Sequence, residues 1–361
     1  MKKVVTWLLM AVMVVSLAAC GSTDQDSSVA GGSAQSSEGS ESSEASEATS
    51  TAISTAEEED YEKVDMNIAA LKGPTALGML NLMHEADAGS APDNYNFTLA
   101  GSADEILGKI IQGEFDIAAV PTNVASVLYN KTEGAVQLAA LNTLGVLYCV
   151  EIGDTVHSVE DLAGKTVYNL GKGSTPEFAL NFLLEEHGLD PETDLTVEYR
   201  SEASEVAALM ANGEATIALL PQPFVTSLMA QNPDVRVALD FTEEWNEVGE
   251  GSTLTMGSIV VQKAFAEEHP EALQRFMEAY AASVEFTNGE DTLETAAQYA
   301  EEYDIVKQNV AVKAIPECNI VFIDGEEMKT IAQGFLQVLF DADPASVGGA
   351  VPDDAFYYNA E

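Results

Sequence analysis

The chain has 361 residues, room for roughly two domains of ordinary size with further segments besides. Its 60 acidic residues against 15 lysines and arginines give a formal net charge of -45. Such a surface repels nucleic acid and anionic lipid headgroups and favours solubility, but it does not fix the local sign of a cleft.

Met1-Lys2-Lys3 is a charged start, Val4 to Leu17 an apolar run, and Leu17-Ala18-Ala19-Cys20 a small-residue close. This order reads as an export leader over residues 1–19. The apolar run is shorter than the ~20 residues a membrane-spanning helix needs. A cysteine directly after the small residues resembles the lipobox of bacterial lipoproteins, which implies lipidation of Cys20 after cleavage. An ordinary secretion signal with an incidental cysteine is the alternative. Residues 20–64 contain no Lys or Arg before Lys63 and are dominated by Ser, Glu, Ala, Thr and Gly. A segment of that composition cannot bury a core, so it is expected to be a disordered, self-repelling tether.

The folded part is expected to start near Met66, with Met66–Leu71 as a buried strand. Lys72-Gly73-Pro74-Thr75 then leads into a helical stretch through Leu77, Leu80 and His84, and Phe97–Ala100 reads as a second strand. Next comes Ala103–Pro121, ADEILGKIIQGEFDIAAVP, which the chain repeats at Ala203–Pro221, ASEVAALMANGEATIALLP. Ile106, Leu107, Ile110 and Ile111 recur at helical spacing, as do Val206, Ala207, Leu209 and Met210. Gly113 and Gly213 suit the left-handed residue that ends a helix. The apolar runs Phe115–Val120 and Ala215–Leu220 then read as strands covered on both faces, as in a parallel sheet. One helix–strand–Pro unit repeated a domain-length later predicts two similar α/β lobes rather than a solenoid. Ala135–Leu141 and Leu144–Glu151 complete the first lobe as strands around Asn142-Thr143.

The second lobe opens with Ser158–Thr166, then the strand Val167–Leu170 and Gly171-Lys172-Gly173-Ser174-Thr175-Pro176-Glu177. Ser174 and Glu177 have capping-box spacing for the helix that follows. Leu195–Tyr199 and Val235–Leu239 are further strands, and Phe241–Gly251 reads as a loop carrying Trp245. Met256–Gln262 looks like a strand returning to the first lobe, followed by helices over Ala264–Phe286, Glu290–Tyr303 and Glu326–Phe340. The expected architecture is α/β, with mostly parallel sheets in two similar lobes joined by a two-segment hinge. Lobe 1 takes residues 65–150 and 254–361 and lobe 2 residues 151–253.

Ligands of parallel sheets bind beyond the carboxyl ends of the strands. There, Lys72, Gly73, Pro74 and Thr75 mirror Lys172, Gly173, Ser174 and Thr175, each set offering backbone N–H groups, a hydroxyl and a lysine at a helix start. That chemistry suits an anionic or strongly polar group; helix capping alone is the plainer reading. Thr122 and Asn123 after Pro121, and Gln222 and Phe224 after Pro221, form a second symmetric pair, with Asn142 beside them. Trp245, among Glu243, Glu244 and Glu247, reads as a cleft-edge or lid residue. Gly171-Lys172-Gly173-Ser174 lacks the spacing of a phosphate-binding P-loop. His84, His157, His187 and His269 pair with no Ser, Cys or Asp at a telling spacing, and no zinc or nucleophile-elbow motif occurs. Cys149 and Cys318 read as two separate buried thiols. No catalytic group, cofactor or metal is expected.

The leader, the tether, the echoing lobes and the stretch Gly113-x-x-Asp116-Ile117-Ala118-x-x-Pro121 together resemble a solute-binding lipoprotein of an ABC importer. The chain is similar to the nitrate/sulfonate/taurine and thiamine-pyrimidine-precursor branch of type 2 periplasmic-binding-like proteins. Ser158–Val167 resembles that family's entry into lobe 2, and Phe265–Ala272 its "FxxxHPE" helix start. The resemblance implies a monomer, anchored to the cell membrane through Cys20, that closes its lobes on a small polar, anionic or heteroaromatic solute. Delivery would be to a membrane permease driven by a cytoplasmic ATPase. Two other readings use the same fold. One is an enzyme resembling menaquinone-pathway dehydratases and cyclases, which are cytoplasmic and so conflict with the leader; the other is a surface sensor.

Overall fold

The computed structural model describes residues 61–359. The expected leader, Cys20 and the tether up to residue 60 lie outside them. The chain runs β1 (Asp65–Leu71), α1 (Pro74–Leu77), α2 (Leu80–Ala88), β2 (Asn94–Ala100), α3 (Asp104–Ile111), β3 (Ile117–Val120), α4 (Thr122–Lys131) and β4 (Val136–Leu144). It continues with β5 (Leu147–Ile152), β6 (Thr166–Leu170), α5 (Thr175–Glu186), β7 (Thr196–Arg200), α6 (Ala203–Ala211), β8 (Ile217–Pro221), α7 (Phe224–Gln231), β9 (Val235–Asp240) and α8 (Phe241–Val248). The last part is β10 (Thr255–Gln262), α9 (Lys263–Glu268), α10 (Pro270–Asn288), α11 (Leu293–Glu302), α12 (Gln308–Ala314), β11 (Ile320–Ile323) and α13 (Gly325–Ala342).

The strands form a six-stranded sheet, β11-β4-β10-β3-β1-β2, and a five-stranded sheet, β7-β6-β8-β5-β9. Read from β2 and from β7, the first five strands of the two orders correspond and β11 has no counterpart, so the sequence repeat has become a repeat of lobes. The repeat units are α3–β3 and α6–β8, and Gly113 and Gly213 after the helices have φ of 72° and 73°. β3 and β8 are buried along their whole length, as strands covered on both faces must be. Ile106 and Ile110 carry the buried face of α3, whereas Ile111 is exposed; one apolar residue of the four falls outside the stripe.

The sheets are mixed rather than mostly parallel. β1 runs parallel to β2 and β3, and β6 parallel to β7 and β8. β10 is antiparallel to β3 and β4, and β5 to β8 and β9. The reason is topological. β5 and β10 are the strands by which the chain crosses between lobes, so each enters its sheet from the side where the parallel strands end and must run against them. Asn142 and Thr143 lie within the continuous strand β4 rather than between two strands.

Beyond these crossings, α13 packs on α5 of lobe 2 and on α4, β4 and β10 of lobe 1. Its Phe335 is buried and packs with its ring tilted at 5.5 Å from Trp245 of α8, whose ring also meets Phe182 of α5 at 4.7 Å. Trp245 therefore sits in a helix and not in a loop, fully buried, with Nε1 donating to Ser252 Oγ at 2.9 Å. Its acidic neighbours Glu243, Glu244 and Glu247 do not keep it out of the core, because in a helix they lie on other faces. Cys149 and Cys318 are both buried and free.

Candidate functional site

The carboxyl ends of β1, β2 and β3 face those of β6, β7 and β8, and the loops that follow them line one cleft. Its inner cavity, about 110 Å³, is lined from lobe 1 by residues 71–75, 101–103 and Pro121, and from lobe 2 by Gly171, Ser174, Ser201, Ala203, Pro221 and Phe224. A mouth of about 360 Å³ continues it past Ser102, Asp104, Lys172, Gly173, Arg200 and Glu205. On another side, about 210 Å³ opens between Phe224 and Ser227 of lobe 2 and Asp304 and Lys307 of lobe 1. A larger hollow, about 1000 Å³, runs along α5 and β7 and lacks the facing loops of lobe 1, so it is not the equivalent of the cleft.

The cleft brings together Lys72, Gly73, Pro74, Thr75, Ser174 and Phe224, and puts Lys172 and Gly173 at the mouth. Gly73 has φ +145°, a backbone that a side chain rarely tolerates, and a Cβ there would stand 3.8 Å from the Phe224 ring. That distance is ordinary contact, so it is the backbone angle and not the space beside Phe224 that calls for glycine. Lys72 is not a free cation: its Nζ binds Asp304 at 3.0 Å, and this hydrogen bond and charge hold Asp304 below the ordinary carboxylate range. Lys172 Nζ stands 5.5 Å over the Tyr199 ring, whose phenol is pushed up by burial and by Glu177.

Several expected contacts have structural roles here. Thr175 Oγ1 donates to Asn123 Oδ1 at 3.1 Å, and Asn123 Nδ2 reaches Gly173 O at 3.2 Å, so these residues join lobe to lobe. Asn142 is buried behind α1, its Nδ2 donating to Thr75 O at 3.2 Å; it positions Thr75 and does not face the cleft. Gln222 Oε1 accepts from Thr226 N and Oγ1 at the start of α7. Thr122 is buried at the start of α4, its hydroxyl without a partner and outside the cavity lining. Trp245 is in the core. The Ser174–Glu177 capping box is replaced: Ser174 Oγ turns back to Gly171 O, and Glu177 Oε2 accepts from Gly173 N at 2.5 Å.

Sequence reasoning missed the loops after β2 and β7, namely Gly101-Ser102-Ala103 and Arg200-Ser201-Glu202. The signal was present, because each immediately precedes or opens a copy of the repeat. Both end in the same device. Glu105 Oε1 accepts Gly101 N and Ser102 N, each at 2.9 Å, and Glu205 Oε2 accepts Ser201 N at 3.2 Å and Glu202 N at 3.4 Å. These glutamates are the third residues of the two repeat copies. Among the described residues, no group of His, Cys, Asp and Glu is arranged to hold a metal ion.

A family model described as "ABC transporter, phosphonate, periplasmic substrate-binding protein" matches residues 94–306. No curated protein matches the sequence. Among solved structures, an ABC transporter from Parabacteroides distasonis is 23% identical with a TM-score of 0.67, over 82% of this chain and 99% of that one. The alkanesulfonate-binding protein SsuA from Xanthomonas axonopodis pv. citri, bound to MOPS, is 14% identical with a TM-score of 0.63, over 81% and 96%. The periplasmic nitrate-binding protein NrtA from Synechocystis PCC 6803 is 12% identical with a TM-score of 0.59, over 79% and 84%. At these identities the likeness establishes a shared two-lobed fold.

Proposed function

The chain belongs to the family of periplasmic substrate-binding proteins of phosphonate-type ABC transporters, and from that premise we propose that the interlobe cleft is its solute site. The family is one of transport receptors and not of enzymes, so the solute is captured and passed to a membrane permease rather than transformed. The observation that carries the site assignment is the convergence of corresponding loops from both lobes on one cavity, with Phe224 against Gly73. Ligand contacts come from Lys72, Gly73, Pro74, Thr75, Ser102, Ser174, Ser201 and Phe224, with Lys172 and Arg200 at the mouth. Opening and closing of the lobes about β5 and β10 admits and encloses the solute. The protein works outside the cytoplasm as a monomer, held to the membrane by lipid on Cys20.

The test is a thermal-shift screen of the full-length protein, since a ligand that binds only the folded state raises the melting temperature by mass action. A selective shift that Phe224→Ala abolishes supports the site; a shift of equal size in that variant places binding elsewhere. For the anchor, Cys20→Ser should move the protein from the detergent phase to the aqueous phase of a detergent partition. Unchanged partitioning would remove the anchor.

A further inference from the structure

We propose that Asp304 is a built-in competitor of the solute for Lys72 and so sets how tightly the cleft holds an anion. The proposal rests on the cleft being the solute site and on an anionic solute, the class named in the family's description. The cavity is equipped for one. Gly73 N, Thr75 N, Ala103 N, Ala203 N and the Ser201 hydroxyl line it, and none of them has a partner among the described residues. Such free donors are what the acceptor oxygens of an oxyanion require. Among the described residues, Lys72 is the one charged side chain in the lining of the inner cavity, and its charge is already answered. Lys72 Nζ lies 3.0 Å from Asp304 Oδ2, a carboxylate outside that lining, at the side opening with Phe224, Ser227 and Lys307. An anion entering the cavity therefore meets a neutralised lysine.

The pair is built to be exchanged. The Lys72 side chain is 34% exposed and that of Asp304 90%, and an ion pair so open to water holds its partners weakly. A structural pair of the same lobe looks different: Arg275 grips Asp93 through two bonds, at 2.9 and 2.8 Å, and the Asp93 side chain is wholly buried. The flexible four-carbon stem of lysine lets its ammonium turn from one acceptor to another. Lys72, by its hydrogen bond and charge, and after it Lys307 hold the Asp304 carboxyl below the ordinary range, so a released Asp304 keeps a cation beside it. If the ammonium is shared instead, two like charges stand on one cation, and Asp304 still weakens the hold on the solute.

The experiment removes the competitor's charge and keeps its shape. Asp304 has φ +53°, a left-handed backbone that Asn tolerates as Asp does, so Asp304→Asn leaves the turn unstrained. Wild type, Asp304→Asn, Lys72→Met and the double variant, all full-length, are titrated by thermal shift. The probes are methylphosphonate, methanesulfonate, nitrate and the anions released by unfolding the purified protein. The anion that binds wild type should bind Asp304→Asn roughly two- to fivefold tighter, by a margin that shrinks as salt rises, with the urea midpoint unchanged. In the Lys72→Met background the same substitution should change little, because the ammonium competed for is gone. Equal or weaker binding by Asp304→Asn, or an equal gain without Lys72, overturns the inference and leaves the cleft as the site. No shift from any anion also overturns the inference alone. Binding that Phe224→Ala leaves intact overturns the cleft reading, and this inference with it.

Discussion

Thr175, at the start of α5 in lobe 2, donates a hydrogen bond to Asn123 of α4 in lobe 1 at 3.1 Å, and both side chains are buried. The Asn123 amide nitrogen is shared between Gly173 O of lobe 2 and Ser346 O at 3.0 Å, in the segment after α13. One side chain thus ties together both lobes and the C-terminal segment. A lobe motion that parts α4 from α5 breaks the bonds to Thr175 and Gly173 and can leave the one to Ser346 intact. On the proposed opening and closing of the lobes, the contact is then a term in the closing equilibrium and not only in stability.

Thr175→Val keeps the shape and removes the hydroxyl. A neutral buried hydrogen bond is worth about 1 kcal/mol net, and a change of that size is about fivefold in a two-state ratio. The ligand-free protein should therefore populate open forms more, raising the radius of gyration measured by X-ray scattering. Solute affinity should fall by a similar factor. Scattering and affinity both unchanged would mean that the bond re-forms through water or contributes nothing to closure.

Phe224 and Trp245 separate binding from folding. Phe224 is half-buried and lines the cavity, so Phe224→Ala removes apolar contact from the ligand more than from the core. Burying an aromatic ring is worth roughly 1.5–3 kcal/mol, which predicts a loss of solute affinity of tenfold or more, read by calorimetry. The urea midpoint should move little. A large fall in midpoint with affinity retained would reverse the assignment.

Trp245→Ala should do the opposite. Its ring fills space between Phe182 and Phe335, and truncating a buried tryptophan costs about 3–5 kcal/mol through lost burial and the cavity left behind. Denaturant unfolding should register that loss, while the folded fraction keeps its affinity. A variant with wild-type stability and weakened binding would restore the lid role expected from the sequence.

Much of the architecture was legible because the chain states it twice. The repeat at Ala103 and Ala203, the glycines that end its helices and the apolar runs before Pro121 and Pro221 report local geometry, which sequence encodes directly. Strand direction did not follow, since an apolar run such as Met256–Gln262 looks the same whichever way it enters a sheet; only the crossing between lobes makes it antiparallel. The site was legible as loops rather than as contacts. Lys72 and Asn123 have the residue types of ligand-binding groups, but their partners Asp304 and Thr175 are far away in sequence. Trp245 misled because its charged neighbours describe the faces of a helix that it does not share.

Glu151 of β5 is buried, and burial alone would raise its pKa; hydrogen bonds from Thr155 Oγ1 and N and Val156 N, with the Arg236 guanidinium, outweigh burial and hold it below the ordinary value. Arg236 Nη2 lies 2.6 Å from Glu151 Oε2. With the folded pKa below the unfolded one, near about 4.3, the native state binds fewer protons in that interval and stability rises with pH there. The contribution is complete above the unfolded pKa and is lost as pH falls through the folded one. The Arg236 side chain is 31% exposed, so removing the Glu151 charge costs less than breaking a fully buried pair, and Glu151→Gln should be destabilised by roughly 1–2 kcal/mol at neutral pH. Urea midpoints taken from neutral to strongly acidic pH should show wild type and variant converging as Glu151 protonates. A gap that stays constant across that range would mean that shape and neutral hydrogen bonding, and not the charge on Glu151, hold this corner of lobe 2 together.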